Sequence, residues 1–157
     1  MSASETPSDL EELLQILRDP RAKALQPEFR PSKDGDAGYN LYCIEETVIP
    51  PGLRPPVDLP TGIRVKLPKG CFARIEPRSS LYLRYPTLEL CSAPIDNGYT
   101  GPLDPRFRNR GRRKVVVPAG ESLVQLVLYR LIVPETSDVD ALPETARGAD
   151  RYGSTGK

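Results

Sequence analysis

An all-β fold is predicted by three features of this chain of 157 residues. Its 18 prolines are about double ordinary usage and recur through the middle, where they work against long helices. Short segments alternate between apolar and polar residues. Ile63, Val65 and Leu67 alternate with Arg64 and Lys66, so one face is buried and the other wet. Turn-forming clusters such as Pro68-Lys69-Gly70, Asn97-Gly98 and Pro118-Ala119-Gly120 separate these segments,. A chain of this length forms one domain with a tail and buries roughly 70% of its unfolded surface.

Residues 1–30 read as an extension. Ser8-Asp9-Leu10-Glu11 has the form of a capping box, and Leu10, Leu13, Leu14 and Leu17 follow at i, i+3, i+4 and i+7. That spacing predicts a short amphipathic helix over about 8–19, stopped by Asp19-Pro20. Its leucine stripe is a docking face, against the body of the protein or a partner. Strands begin at Asp36 and fill residues 31–134. The segment from Val57 to Leu67 leads through a turn to a return strand, Cys71 to Glu76. Ser92 to Gly101 reads as a hairpin whose Asn97-Gly98 turn is of type I′, with both residues at positive φ, followed by a returning strand. Pro102 and Pro105 mark the next strand as an edge or a bulge, and its alternating arginines form a solvated face, the lining of an oligomer axis, or a local anion or nucleic-acid patch. Leu123 to Val133 is apolar on both faces, as in a strand buried in a barrel or at a subunit contact. Residues 135–157 turn polar and proline-broken, the composition of a flexible arm.

Composition narrows the chemistry. Lysine and arginine number 22 against 21 acidic residues, so no overall field draws in nucleic acid or an anionic membrane, and neither partner is expected. Any anion site must be local. The count of histidines is 0, which removes Ser-His and Cys-His catalysis and His-based metal sites. Cys43, Cys71 and Cys91 are too scattered for a disulfide framework or zinc site and read as reduced thiols,. Glu5 and Asp9 interrupt the first ten residues, so no signal peptide is read there, and no run reaches the roughly 20 apolar residues of a membrane span. A soluble protein of the cell interior, cytoplasmic or nuclear, is expected.

Catalysis must then rest on carboxylates, hydroxyls, Lys, Arg, Tyr, Cys or a metal. In the hairpin, Asp96 sets a carboxylate beside the turn and Tyr99 a ring three residues on. Arg78 and Ser79 offer a guanidinium, a hydroxyl and adjacent backbone N–H groups, a cradle for phosphate oxygens. Gln125 is a lone amide in an apolar run. It needs a buried partner or a place at a ligand. Near the end, Arg147 and Tyr152 precede Gly153-Ser154-Thr155-Gly156, which supplies a cation, a stacking ring and free amides for a lid over a nucleoside triphosphate.

Ser92 to Gly101 resembles the third motif of the trimeric dUTPases, and four other stretches resemble that family's remaining motifs in its order and near its spacing. Ala37-Gly38-Tyr39-Asn40-Leu41 resembles the first, with Asn40 in place of its Asp. Pro77-Arg78-Ser79-Ser80-Leu81 resembles the second, with Ser80 in place of Gly, where a positive φ would cost about 1 kcal/mol. Gly120 to Leu126, with Gln125, resembles the fourth. Arg147 to Gly156 resembles the fifth, with Tyr152 in place of Phe. The resemblance spans about residues 31–156.

It implies a distorted jelly-roll β-barrel assembled as a homotrimer, with sites at subunit interfaces closed by the C-terminal arms. The implied reaction is hydrolysis of dUTP to dUMP and pyrophosphate. Asp96 acts on the attacking water. Ile95 and the hairpin backbone hold uracil, and the Tyr99 ring lies under the deoxyribose. Arg78, Ser79, Ser80, Gln125, Arg147 and Gly153, Ser154 and Thr155 hold the triphosphate, while Tyr152 stacks on the base. Mg2+ is the implied cofactor, touched by Asn40 through water, and an amide there brings no charge. Pro94 removes one N–H donor from the hairpin. Two rival readings differ from this one. A related dCTP deaminase would carry a glutamate where this chain has Arg106. A catalytically impaired protein of the same fold would serve as a nucleotide- or partner-binding regulator, a reading that Asn40, Ser80 and Pro94 favour.

Overall fold

The computed structural model describes residues 13–149. The first strand, β1 (Gln15–Arg18), pairs antiparallel with β5 (Ile63–Lys66), matching Gln15 to Lys66 and Arg18 to Ile63. The helix predicted over about 8–19 is therefore corrected for residues 13–19; its Ser8–Glu11 capping box lies outside the described residues. Period two wins because the open edge of β5 offers unpaired N–H and C=O groups that β1 satisfies. Ile16 and Leu14 pack on the core, whereas Leu13 and Leu17 remain 55% and 64% exposed. Asp19-Pro20 starts a helix instead of stopping one. In α1 (Pro20–Leu25), proline occupies the first turn, where an N–H has no intrahelical partner, and the Asp19 carboxylate caps it by accepting from the Arg21 N–H at 2.8 Å,.

Two larger sheets carry the rest. In one, β2 (Gly38–Leu41), β11 (Val124–Arg130), β6 (Cys71–Pro77) and β8 (Pro94–Ile95) lie side by side in that order. In the other, β9 (Arg106–Asn109) lies between β4 (Gly52–Asp58) and β7 (Leu88–Cys91). A further pair joins β3 (Thr47–Ile49) to β10 (Val115–Val117). Every strand pairing is antiparallel. The inner faces share one core, in which Leu41, Ile49, Phe107, Leu123 and Leu126 are almost wholly buried.

The alternation of β5 is as expected, Ile63 and Val65 in and Arg64 and Lys66 out. The edge expected at β9 is corrected: this strand is central, with Arg106 and Arg108 exposed and Phe107 and Asn109 buried. Pro102 and Pro105 precede its first paired residue, so neither has to donate to the ladder, and the register break falls in β4 between Gly52 and Val57. β11 is an inner strand with Val124 and Leu126 buried, but Leu131, Ile132 and Val133 just beyond it are exposed. From there to Ala149 the chain is exposed and lacks helix or strand.

Candidate active site

The pairing of β8 with β6 sets Ile95 against Ala73 and Pro94 against Arg74. The chain then turns, the Tyr99 N–H donating to the Asp96 carbonyl at 3.0 Å. This turn departs from the predicted type I′ hairpin, since neither Asn97 nor Gly98 takes a positive φ and no returning strand pairs with β8. Two anchors explain the difference. The Asn97 amide donates to the Pro68 and Cys71 carbonyls, each at 2.7 Å, which pins the turn on the β5–β6 connection. Beyond Tyr99 the chain is captured by β5: Arg64 Nε donates to the Thr100 carbonyl at 2.7 Å and the Leu103 N–H to the Ile63 carbonyl at 2.9 Å. The two arms of the hairpin are thereby splayed.

Between them opens a cleft of about 290 Å³, with Ile75 and Leu103 among its apolar lining, the segment from Cys91 to Asp96 on one side and Tyr99 and Pro102 to Arg106 on the other. The Asp96 carboxylate is exposed at this cleft and makes no hydrogen bond to protein among the described residues. Tyr99 donates its hydroxyl to the Pro102 carbonyl at 3.0 Å and lies over Gly101, where a Cβ would fall 2.6 Å from Cζ of the ring. Glycine at 101 is what lets the ring lie flat. Asp104 is half-buried and accepts the Thr61 N–H at 3.0 Å; burial pushes its carboxyl up, the Thr61 bond opposes this, and nearby Asp58 adds to the rise. At the rim, Arg106 is held by Asp58 at 2.6 Å.

A second group gathers where β6 and β11 end. Arg78 occupies the cap position of α2 (Ser79–Arg84), and its guanidinium donates to the Ser122 carbonyl at 3.1 Å. Ser80 Oγ donates to the same carbonyl at 3.1 Å. Ser79 is exposed at the start of the helix. The strain expected at Ser80 is corrected: the motif is the first turn of α2, and no non-glycine residue among those described has a positive φ. Gln125 stands between Asn40 and Glu76 in the ladder and, among the described residues, its amide reaches only the Pro77 carbonyl, at 3.4 Å. A Cβ at Gly38 would lie 2.7 Å from its Oε1, so glycine makes room for this amide.

The structure thus brings Ile95, Asp96 and Tyr99 to one cleft, and Arg78, Ser79, Ser80 and Gln125 to another place outside its lining. Arg147 is exposed on the arm, and Tyr152, Gly153, Ser154 and Thr155 lie outside the described residues. Asn40, 8% exposed, donates its amide to Ser32 Oγ at 2.8 Å. Asp36 accepts from the Lys33 N–H at 3.0 Å, closing a turn of its own. No group of three or more His, Cys, Asp or Glu among the described residues could hold a metal ion, so these residues do not fit a protein-built magnesium site. The sequence reading missed the wall from Pro102 to Arg106, Asp104 above all. Its signal is the two prolines bracketing Leu103-Asp104, because prolines cannot donate to a returning ladder.

The sequence model of the dUTPase family matches residues 26–156. The chain belongs to the dUTPase family. It is 34% identical over 123 residues to the deoxyuridine 5'-triphosphate nucleotidohydrolase of Paramecium bursaria Chlorella virus 1, covering 78% of this chain and 85% of that one. Against the cowpox virus enzyme of the same name, identity is 38% over 122 residues, covering 78% and 80%. Among solved structures, a mutant dUTPase of Staphylococcus bacteriophage 80alpha with dUpNHpp superposes with a TM-score of 0.79 at 22% identity, covering 92% of this chain and 99% of that one. A phage phi11 dUTPase described with a structural Mg(II) ion gives a TM-score of 0.70 at 22% identity, covering 82% and 97%. The splayed hairpin and two-sheet core are thus a dUTPase fold. No helix among the described residues is long and apolar enough to cross a membrane.

Proposed function

We propose that this chain hydrolyses dUTP to dUMP and pyrophosphate, with Asp96 as the base that orients and deprotonates the attacking water. The observation that carries this reading is the unpaired Asp96 carboxylate at a cleft that also holds the Tyr99 ring. An exposed carboxylate without a protein partner is free to accept a proton from water in line with a phosphorus. The water oxygen forms the new bond to the α-phosphorus, the bond from that phosphorus to the α,β-bridging oxygen breaks, and pyrophosphate leaves with the electron pair. Ile95 packs against the uracil. Tyr99 supports the deoxyribose and leaves no room for a 2′-hydroxyl.

Arg78, Ser79, Ser80, Gln125 and Arg147 neutralise and orient the triphosphate, joined by the amides of Gly153, Ser154 and Thr155, while Tyr152 stacks on the base. Because the Arg78 group lies outside the cleft, a second copy supplies it, and a homotrimer with shared sites is the assembly this supports. Magnesium supplied on the phosphate oxygens would screen their charge; the described residues build no cradle of their own for it,. The protein acts in the cytoplasm or nucleus, where its three free cysteines stay reduced.

The test is pyrophosphate release from dUTP, dCTP, dTTP and UTP, each with and without magnesium. Release from dUTP alone, lost in Asp96→Asn, is the expected result. Turnover retained by that variant would reject the assignment.

A further inference from the structure

We propose that the turn at 110–114, with Arg108 beside it, is a binding surface for the phosphodiester backbone of a nucleic acid. Residues 106–114 carry Arg106, Arg108, Arg110, Arg112, Arg113 and Lys114 and no acidic residue. Two of these cations are neutralised. Arg106 is bound to Asp58 at 2.6 Å, and Arg110 holds Glu89 through both Nε (3.0 Å) and Nη2 (2.5 Å). Arg108 faces Glu89 across the ladder and must share it with Arg110. Arg112, Arg113 and Lys114 are exposed and have no carboxylate partner among the described residues. A net charge of +1 for the chain conceals this local excess.

The turn is also rigidly built. Asn109, 1% exposed, donates its amide to the Ile49 carbonyl at 3.2 Å and the Arg113 carbonyl at 2.7 Å, and accepts the Gly111 N–H at 2.9 Å. The Arg110 N–H donates to the Thr87 carbonyl at 2.8 Å. The cations are displayed on a fixed backbone, so binding orders side chains only. Arginine predominates, and its planar fork matches phosphate oxygens. Phe107, the aromatic ring of 106–114, is fully buried, leaving no ring there for base stacking, and the exposed apolar side chains that flank the turn, Val116 and Val48, are small. Contact is therefore with the backbone and indifferent to sequence.

The experiment is fluorescence anisotropy of labelled DNA and RNA 20-mers with the full chain at rising salt. Log affinity should fall against log salt with a slope near −3, at about −0.7 to −0.9 per phosphate contact. The variant combining Arg112→Ala, Arg113→Ala and Lys114→Ala should flatten that slope to about −1 and weaken binding about tenfold or more at low salt, with an unchanged unfolding midpoint. Binding to DNA, to RNA or to both supports the proposal. It is overturned by absent binding at low salt, by a variant that binds as well as the parent, by displacement with a non-hydrolysable dUTP analogue, or by tighter binding to phosphatidylserine vesicles or polyglutamate.

Discussion

The cleft formed by Ile95, Asp96 and Tyr99 and the cluster formed by Arg78, Ser79, Ser80 and Gln125 are partners in the proposed reaction but are held in different ways. The cleft is a product of local anchoring. Asn97 donates twice to the neighbouring connection, β5 draws away the outgoing chain, and the space left opens between the two arms. The phosphate cluster rests on provisional contacts. Arg78 and Ser80 both donate to the single Ser122 carbonyl, and Gln125 reaches its acceptor only at 3.4 Å. A neutral carbonyl is a weaker partner for a guanidinium than a phosphate oxygen, so this group is poised to exchange acceptors when a triphosphate arrives. On the proposed reading the specificity half is preformed, and the charge-bearing half is completed by ligand and by a neighbouring copy.

The largest expected effect tests the first half. Asp96→Asn should reduce pyrophosphate release by about 10²- to 10⁴-fold while a non-hydrolysable dUTP analogue still binds. Arg78→Ala follows, with a rise in KM of about tenfold to a hundredfold, the worth of one charged hydrogen bond. Mixing the two variants, assayed at dUTP well below the raised KM so that Arg78→Ala alone turns over little, sharpens the comparison. If the halves come from different copies, co-refolded Asp96→Asn and Arg78→Ala chains regain a fraction of parental turnover. No recovery would mean that each copy builds its own whole site.

Gly101→Ala tests the preformed half more gently. A methyl group there collides with the Tyr99 ring, and the displaced ring should admit a 2′-hydroxyl. The ratio of kcat/KM for dUTP over UTP is expected to fall about tenfold, the scale of a small steric change in a pocket. An unchanged ratio would separate Tyr99 from sugar selection.

Much of this was legible in the sequence. The strand alternation at Ile63 to Lys66 and the all-β class required only local pattern, and the family required only the motifs that resemble its own. The misreadings share one cause. Leu10, Leu13, Leu14 and Leu17 carry a helical period, but the unpaired edge of β5 recruits Gln15–Arg18 as a strand, a long-range demand that local spacing cannot display,. Asn97-Gly98 likewise has the composition of a type I′ turn, yet two carbonyls distant in sequence capture the Asn97 amide. The separation of Arg78 from Asp96 was invisible for the same reason: both flank one strand pair, and the antiparallel register that sets Ile95 against Ala73 carries Asp96 toward the Cys71 end of β6 while Arg78 follows its Pro77 end.

The smallest effect expected concerns Asp104, in the wall of the cleft. Burial holds its carboxyl above the ordinary aspartate pKa of 3.8, with the Thr61 N–H opposing and Asp58 and Glu45 reinforcing the shift. The unfolded chain therefore ionises at this residue first as pH rises, and folding stability falls between the ordinary pKa and the raised one, staying lower above both. Asp104→Asn removes the charge but keeps an oxygen for the Thr61 N–H. Its unfolding midpoint should exceed the parent's by about 2 °C at neutral pH, and the difference should vanish below about pH 3, where the carboxyl is neutral in both states. A gain that persisted in acid would trace to packing instead of charge. The preformed cleft would then carry no electrostatic cost at this wall.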